Sequence, residues 1–333
     1  MLTIVLVLLA VLLLLAMAPM MAGTIAYRKT FQGRFEGGGD YYPYFSRMHP
    51  GWQRQSITFS SDRGDPLRGY VFSYAGPQKA MIVLCHGYGM SLNDYLPESE
   101  YFCRCGYSVL AFDGSGTGDS GGILYGLPQH IRDLAACLNY VNSTATLSHL
   151  PLLLYGHSWG GYAVDCVSLL GSWPIQGIIS ASAFQISTAG LGPYMKRHWG
   201  AAAKLPLLGV SIYQRIKFGS LANASAVEGL RHTAAPVLIL QSNDDGIIHY
   251  RDNYEVLYAA FQRDPKKTFL PLTGHNHNIT TPPEVDRKKR ALLKTLRSGT
   301  ATPDELAQMD TLKAQADNAL LAQFIAFFDK CLT

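Results

Sequence analysis

Hydrophobic and polar residues form three successive patterns along this chain. Residues 2–22 are almost wholly apolar and carry no charge. Apolar and polar residues then alternate in residues 56–59 and 67–74, on either side of the turn-forming residues 62–66. This alternation predicts an antiparallel hairpin at a sheet edge. From residue 80 onward, short apolar runs alternate with segments of helical spacing, which is typical of an α/β protein.

The third pattern predicts a mainly parallel sheet covered by helices. The apolar runs that we expect to form its strands are residues 80–84, 108–112, 152–155, 175–179, 237–240 and 268–270. Helical patterns lie near residues 92–104, 128–142, 159–170, 250–262 and 304–330. Continuously apolar strands separated by helices indicate a sheet that is buried on both faces. Such sheets place their functional sites at the carboxyl ends of the strands.

Residues 184–235 interrupt this alternation. They show helical rather than strand spacing and carry large aromatic residues, among them Tyr194, Trp199, Tyr213 and Phe218. An irregular loop of this length is uncommon in a compact domain, so we expect a helical cap over the site. Additional packing of the core is the alternative.

The first segment, residues 1–23, predicts a membrane-spanning helix because its apolar run is about as long as a bilayer is thick. No Lys or Arg precedes the run, which favours an uncleaved single-pass anchor over a cleaved secretory signal or a buried core helix. Ala16-Met17-Ala18 resembles a signal cleavage site, but Pro19 directly follows it.

The residues that follow the apolar run bear on its orientation. Arg28, Lys29 and Arg34 come soon after it, and the positive-inside rule then places the body in the cytoplasm. Residues 24–52 lack periodicity and contain three consecutive glycines, so we expect a linker or a loosely packed strap. The domain itself then occupies residues 53–333.

Charge and cysteine content exclude some classes of function. The net charge of +4 is spread along the chain, so no nucleic-acid partner is expected. The six cysteines lie mostly in apolar segments without a CxxC pair, which favours small buried side chains over disulfides or a metal cluster. The basic run 287–290 predicts the solvated face of a helix, with a lipid headgroup contact as the alternative.

Residues 152–162 carry the strongest chemical signal. A strand-like run meets Gly156-His157-Ser158-Trp159-Gly160 and passes directly into a helical pattern. This strand-turn-helix context predicts a nucleophile elbow with Ser158 at its corner. Ser120, in Gly118-Asp119-Ser120-Gly121-Gly122, fits the same pattern, but no helical periodicity follows it. A buried packing turn is the alternative interpretation of Ser158.

A nucleophilic serine needs a base and an acid, each at the end of a strand. After residues 268–272 stand His275 and His277, and we prefer His275 because it directly follows Gly274. After residues 237–240 stand Asp244 and Asp245, and we prefer Asp245, which precedes a glycine and an apolar pair. The alternatives are turn-forming or helix-capping aspartates and a structural pair of histidines. The two histidines could begin a metal site, but the spacing of the sequence suggests no third ligand.

Donors for an oxyanion are expected from two main-chain amides. The loop after residues 80–84 contains His86-Gly87-Tyr88-Gly89, and its glycines allow close approach to a ligand. We therefore predict the N–H groups of Tyr88 and Trp159 as the donors. His86 is better explained by a structural hydrogen bond than by catalysis. Residues 116–121 match a dinucleotide-binding GxGxxG pattern poorly, since no helix follows them.

These motifs together resemble the α/β-hydrolase superfamily over residues 55–330. The resemblance depends on five elements in order, namely His86-Gly87, residues 113–120, residues 156–161, Asp245 and Gly274-His275. The most similar branch contains serine-aminopeptidase-like and thioesterase-like hydrolases. The resemblance implies an eight-stranded, mainly parallel sheet, a lid inserted after the sixth strand, and a Ser158–His275–Asp245 triad. It also implies hydrolysis of an ester or thioester through an acyl-enzyme and without a cofactor.

An apolar cap beside a membrane anchor favours a lipophilic acyl substrate, either a small molecule or a lipid-like compound. The main alternative is a serine peptidase of the prolyl-oligopeptidase or aminopeptidase type. An aminopeptidase is expected to hold the substrate's ammonium group with a carboxylate in the cap, whereas residues 184–227 contain no acidic residue before Glu228. A non-catalytic hydrolase-like protein is a third possibility, although every residue type of the triad is present.

Overall fold

A single eight-stranded sheet forms the centre of the protein. The computed structural model describes residues 1–37, 39–188, 195, 199–297, 300 and 302–333. The strands are β1 (Gln53–Ser60), β2 (Pro66–Ser73), β3 (Met81–Cys85), β4 (Ser108–Phe112), β5 (Leu152–His157), β6 (Ile175–Ala181), β7 (Val237–Ser242) and β8 (Lys267–Leu272). Their order across the sheet is β1-β2-β4-β3-β5-β6-β7-β8. Strand β2 pairs antiparallel with β1 and β4, and the remaining pairs are parallel.

The burial of the strands follows the hydrophobic pattern. Every residue of β3, β4, β5 and β7 is buried, as expected for strands covered on both faces, whereas β1 at the edge is largely exposed. Successive residues of β3 enter two different hydrophobic clusters, one on each face of the sheet: Met81, Val83 and Cys85 on one side, Ile82 and Leu84 on the other. The predicted mainly parallel α/β sheet and its edge hairpin are confirmed.

Helices cover both faces. They are α1 (Leu2–Phe31), α2 (Tyr42–Met48), α3 (Leu96–Arg104), α4 (Gln129–Ser143), α5 (Ala145–Ser148), α6 (Trp159–Cys166), α7 (Lys204–Phe218), α8 (Ala226–His232), α9 (Tyr254–Phe261), α10 (Pro283–Arg297), α11 (Pro303–Lys313) and α12 (Asn318–Cys331). The expected helix over 304–330 is divided into α11 and α12. The break falls before Asp317, whose carboxylate accepts a hydrogen bond from Leu320 N–H and caps α12. The basic run 287–290 lies within α10.

The long N-terminal helix α1 has two different parts. Its apolar stretch has a mean hydropathy of 3.0 and none of it is buried, so α1 is long and apolar enough to cross a membrane. Gly23 and Tyr27, in its last third, are buried. Residues 24–52, which we expected to form a linker, contain regular structure instead: the end of α1 and all of α2 lie within them. Phe45 and Trp52 from this segment lie in the core.

From residue 200 onward, helices make up most of the segment expected as a cap. A short 3₁₀ helix (Gly200–Ala203) precedes α7, and another (Gly219–Asn223) leads to α8. Tyr194, which the sequence pattern assigned to the cap, lies outside the described residues. Helix α7 packs closely on α1, because a Cβ atom at Gly209 would lie 2.1 Å from the Met20 carbonyl oxygen and one at Gly23 would lie 2.4 Å from that of Pro206. Glycines therefore permit this helix contact.

Candidate active site

Ser158 occupies a sharp turn between β5 and α6. Its backbone has φ 56° and ψ −112°, an unusual conformation for a residue other than glycine. The turn is packed tightly: a Cβ atom at Gly156 would lie 2.3 Å from the Gly160 carbonyl oxygen, and one at Gly160 would lie 2.0 Å from that of Cys85. Two glycines in Gly-x-Ser-x-Gly are thus required for the helix to fold back onto the strands. The predicted elbow geometry is present at Ser158.

The imidazole next to Ser158 belongs to His277. Its Nε2 lies 2.9 Å from Ser158 Oγ, and its Nδ1 lies 2.8 Å from Asp245 Oδ2. A carboxylate can only accept, so Nδ1–H donates to Asp245 and Nε2 accepts the serine hydroxyl proton. All three residues are buried, with exposed fractions of 7 % for Ser158 and His277 and 5 % for Asp245. Such a row of groups allows the imidazole to take the hydroxyl proton during a nucleophilic attack.

The preferred histidine of the sequence analysis, His275, is not beside Ser158, and this corrects that prediction. Its Nε2 lies 3.3 Å from Asp317 Oδ2 and its Nδ1 lies 3.1 Å from the Thr273 carbonyl oxygen. The reason is the path of the loop after β8. Both Gly274 and Asn276 have positive φ, 81° and 56°, so the chain reverses its direction on either side of His275. The second histidine is thereby turned toward the serine.

Asn276 is the residue in the sequence that could have indicated that His277, and not His275, faces Ser158. Among residues with a side chain, asparagine is one of those that enter the left-handed region most readily. Its side chain also accepts a hydrogen bond from Gly246 N–H at 3.0 Å, which joins the histidine loop to the loop that carries Asp245. A Gly-His-Asn-His sequence therefore contains two backbone reversals rather than one.

The two neighbouring aspartates have different partners. Asp245 accepts hydrogen bonds through Oδ1 from Ile247 N–H at 2.9 Å and Ile248 N–H at 2.8 Å, which fixes its other oxygen toward His277. Asp244 instead bonds the Ser242 hydroxyl and accepts from Gly274 N–H at 3.0 Å. The Ser242 bond lowers the pKa of Asp244 below its usual value. The preferred residue, Asp245, is thus beside the histidine, while Asp244 holds the histidine loop.

The two predicted amide donors lie at the start of α6 and in the loop after β3. Trp159 is the first residue of α6, so its N–H has no carbonyl partner within the helix. For Tyr88 N–H, no acceptor occurs in the described part of the chain. The rings of Tyr88 and Trp159 are in contact, with centroids 5.9 Å apart. The Tyr88 hydroxyl bonds the Thr30 carbonyl oxygen at the end of α1.

A buried hydrogen-bond chain that the sequence analysis did not predict joins these parts. Gly87 N–H donates to the Tyr95 hydroxyl at 2.8 Å, and that hydroxyl lies 2.7 Å from His157 Nδ1. His157 Nε2–H donates to the His277 carbonyl oxygen at 3.0 Å, which also accepts from the Ser182 hydroxyl at 3.0 Å. Because Nε2 must donate to a carbonyl, Nδ1 accepts from Tyr95. Burial lowers the pKa of His157 to about 3, so its ring is neutral.

Ser120 and His86 have structural surroundings. The Ser120 hydroxyl donates to the Asp113 carbonyl oxygen at 2.6 Å and accepts from Arg68 N–H at 2.8 Å. His86 Nδ1–H donates to the Gly87 carbonyl oxygen at 2.8 Å, and Nε2 accepts from Gly114 N–H at 3.1 Å. Burial lowers the pKa of His86 to about 4. Neither side chain is free to act as a nucleophile or base.

Comparisons with known proteins agree with this architecture. Residues 76–223 match the profile of a family described as serine aminopeptidase, S33; this range includes Ser158 but neither Asp245 nor His277. No curated protein sequence matches the chain.

Several solved structures share the fold at low sequence identity. An esterase of Pyrococcus furiosus is 17 % identical, with a TM-score of 0.58 over 80 % of this chain and 98 % of that chain. An α/β-hydrolase of Penicillium sp. sh18 is 16 % identical, with a TM-score of 0.51 over 75 % of this chain and 100 % of that chain. A hypothetical protein of Pseudomonas aeruginosa is 16 % identical, with a TM-score of 0.51 over 68 % and 88 % of the two chains. These similarities show that the chain has the α/β-hydrolase fold.

Proposed function

We propose that this protein is a serine hydrolase that cleaves a carboxylic ester or thioester through an acyl-enzyme. The observation that supports this most strongly is the continuous row Ser158 Oγ, His277 and Asp245, joined by contacts of 2.9 and 2.8 Å at an elbow turn. A hydroxyl, an imidazole and a carboxylate in this order form the working parts of nucleophilic acyl transfer.

The reaction has two steps. His277 Nε2 takes the Ser158 proton while Oγ attacks the substrate carbonyl carbon, and the resulting imidazolium donates that proton to the leaving alcohol or thiol as the bond to it breaks. Water then attacks the acyl-enzyme, giving one proton to His277 and the hydroxyl to the acyl carbon. The proton returns to Oγ when the acid departs. Asp245 holds the ring and balances its positive charge in both steps.

The oxyanion of each tetrahedral intermediate is stabilised by the main-chain N–H groups of Tyr88 and Trp159. Trp159 N–H is at the positive end of α6, where a developing negative charge is favoured. Gly87, the residue before Tyr88, donates a hydrogen bond to the Tyr95 hydroxyl. This bond holds the loop after β3, which carries the Tyr88 N–H group, in a fixed position. Preorganised donors of this kind lower the activation barrier without reorganising during the reaction.

The substrate is a lipophilic acyl compound, and α1 anchors the protein in a membrane. Tyr88 contacts the end of α1 and the segment that follows it: its ring lies 5.4 Å from that of Phe31, the last residue of α1, and 4.9 Å from that of Phe35. The proposed oxyanion loop therefore adjoins the segment where an anchor would leave the bilayer. Arg28, Lys29 and Arg34 after the apolar run favour a cytoplasmic body.

Peptide hydrolysis is the second candidate, and one observation favours it, namely the family profile described as serine aminopeptidase. The ester proposal is better supported because residues 184–227 supply no carboxylate for a substrate ammonium group.

Hydrolysis of p-nitrophenyl esters of graded chain length tests the proposal, with aminoacyl p-nitroanilides as the peptidase control. We expect turnover of esters, highest for longer acyl chains, and a loss on the order of 10⁴-fold or more in Ser158→Ala. Thermal unfolding of the variant verifies that it is folded. Preference for anilides over every ester would establish the peptidase instead, and unchanged turnover in Ser158→Ala would refute both.

A further inference from the structure

The outward face of helix α7 is apolar although no part of the described chain covers it. Its exposed apolar residues recur at spacings of three and four, which places them on one side of the helix: Leu205, Leu208, Ile212 and Ile216. The opposite side is already used, since Pro206, Val210, Gln214 and Phe218 are buried. An exposed apolar face of this kind is typical of a surface that binds another molecule or a membrane.

This face continues onto α1. A groove of about 360 Å³ lies between the two helices, and its walls come from both: Met17, Met21, Ile25 and Arg28 of α1, and Ile212 and Ile216 of α7. Met17, Met21 and Ile25 are exposed, like the residues of α7. We call the exposed apolar residues of both helices, Met17, Met21, Ile25, Leu205, Leu208, Ile212 and Ile216, the cap face.

The position of α7 along α1 matches the surface of a bilayer. The apolar run from residue 2 to residue 22 is about 30 Å long as a helix, which is the thickness of the hydrocarbon layer. Helix α7 contacts α1 where this run ends, with Gly209 against Met20 and Pro206 against Gly23. If α1 spans a membrane, α7 lies at the boundary between acyl chains and headgroups.

The charges around the cap face are positive. Lys204 and Arg215 are exposed on α7, and Arg28 and Lys29 are exposed at the end of α1. No acidic residue occurs in residues 1–35 or 184–227. Trp199, next to the N-terminal end of α7, is 51 % exposed, and tryptophan is enriched at membrane interfaces. An apolar face bordered by basic residues and tryptophan is typical of helices that lie in the headgroup region.

We propose that the cap face lies on the bilayer and that its basic border binds anionic phospholipid headgroups. A second copy of this chain is a poorer occupant, because two cap faces in contact would bring like charges together. The surface therefore holds the cap and the end of α1 in the lipid layer from which a lipophilic substrate would come. This proposal concerns membrane contact, and it does not require that Ser158 be catalytic.

Tryptophan fluorescence of the full chain in vesicles tests the proposal. The chain has four tryptophans, of which Trp52 and Trp159 are buried and Trp173 donates a hydrogen bond to Asn139. Vesicles of phosphatidylcholine and phosphatidylglycerol with acyl chains brominated near the headgroup should quench the emission of Trp199. The quenched part should be absent from Trp199→Phe. Equal quenching in both proteins would overturn the proposal.

Charged substitutions locate the contact. Leu208→Glu combined with Ile216→Glu should reduce the quenching by roughly half or more, because α7 leaves the lipid while α1 stays in it. Leu306→Glu on α11 is the matched control, since Leu306 is 52 % exposed and Leu208 is 49 % exposed. Equal quenching in the double variant and the control would contradict the proposal. Ser158→Ala should be quenched like the natural chain, which separates this test from that of the catalytic function.

Lipid charge and self-association complete the test. Vesicles of phosphatidylcholine alone should give weaker quenching, and unchanged quenching would refute the headgroup contact. Unquenched Trp199 together with a chemically cross-linked dimer in the vesicles would assign the face to a second copy and overturn the proposal.

Discussion

The elbow that carries Ser158 and the loop that carries His277 meet at one point but are held in different ways. The elbow depends on neighbours in sequence and on direct backbone contact, since Gly156 and Gly160 allow α6 to touch β5 and β3. The loop after β8 depends on side-chain hydrogen bonds from distant residues, including Asp244, Asp317 and His157. The elbow is set by close packing, and the loop is set by polar contacts.

This difference explains which parts of the site tolerate change. Packing at the elbow leaves no space for an extra atom, so its substitution costs are steric. The histidine loop is less tightly packed but contains several hydrogen bonds. Each of these bonds contributes a modest free energy to holding the loop in place. We therefore expect substitutions at the loop to separate catalytic from supporting residues more cleanly than substitutions at the elbow.

The largest expected effect distinguishes the two histidines. His277→Ala should lower kcat/KM by on the order of 10⁴- to 10⁶-fold, because the serine loses its base. His275→Ala removes a contact to Asp317 and should lower kcat/KM by no more than about tenfold. Steady-state hydrolysis of a p-nitrophenyl ester by the two variants measures this. A larger loss in His275→Ala than in His277→Ala would contradict the geometry.

The neighbouring aspartates offer the second comparison. Asp245→Asn should lower kcat by on the order of 10⁴-fold, since an amide would favour the wrong tautomer of His277. In Asp244→Asn the loop loses part of its support, and we expect a decrease of about tenfold or less. Similar decreases in kcat in both variants would contradict the assignment of Asp245 as the carboxylate that orients His277.

The sequence predicted the parts of this site that depend on local patterns. Ser158 could be placed because its strand, turn and helix are contiguous, and the inner strands because their apolar runs are continuous. His277 was not preferred over His275, because Asn276 alone signals the reversal of this loop and because the contact that holds His275 comes from Asp317, 42 positions farther along the chain. The Tyr95–His157 connection joins residues that are separated by 62 positions and show no shared pattern.

Glycine substitutions compare the packing of the two regions. Gly160→Ala should cost on the order of 4 kcal/mol in unfolding free energy, because its Cβ would lie 2.0 Å from the Cys85 carbonyl oxygen. Gly246→Ala, next to Asp245, should cost less than about 1 kcal/mol, since its nearest contact would be Asn276 Oδ1 at 3.7 Å. Urea unfolding measures both values. Equal costs would refute the contrast between a packed elbow and an open loop.

The hydrogen-bond chain through Tyr95 is expected to contribute less to the free energy of unfolding than the packing at Gly160. Tyr95→Phe leaves Gly87 N–H and His157 Nδ1 without their buried partner, which should cost about 1–3 kcal/mol in unfolding free energy. Tyr140→Phe is the control, because the Tyr140 hydroxyl has no hydrogen bond within the described residues and its ring stacks on Phe59. If both variants unfold at the same urea concentration, the chain through Tyr95 does not support the site.

The last comparison concerns the pH dependence of the unfolding free energy. Burial raises the pKa of Asp165, on α6, to about 7, while the Ser242 hydrogen bond lowers the pKa of Asp244 in the loop region. A raised folded-state pKa contributes stability at low pH that is lost as the pH rises toward 7, whereas a lowered one contributes stability that is lost only in acid.

Asp165→Asn should therefore become more stable relative to the natural protein between pH 5 and pH 7, by at most about 1.4 kcal/mol per pH unit. Asp244→Asn should show no such gain over this range. Urea unfolding at each pH checks both variants, and a constant difference for Asp165→Asn would contradict the raised pKa.

Labelling with a fluorophosphonate probe, followed by mass spectrometry of the modified peptide, tests the central claim most directly. We predict one adduct on Ser158, no adduct in Ser158→Ala, and a retained adduct in Ser120→Ala. An adduct on Ser120, or labelling that persists in Ser158→Ala, would contradict the assignment of the nucleophile.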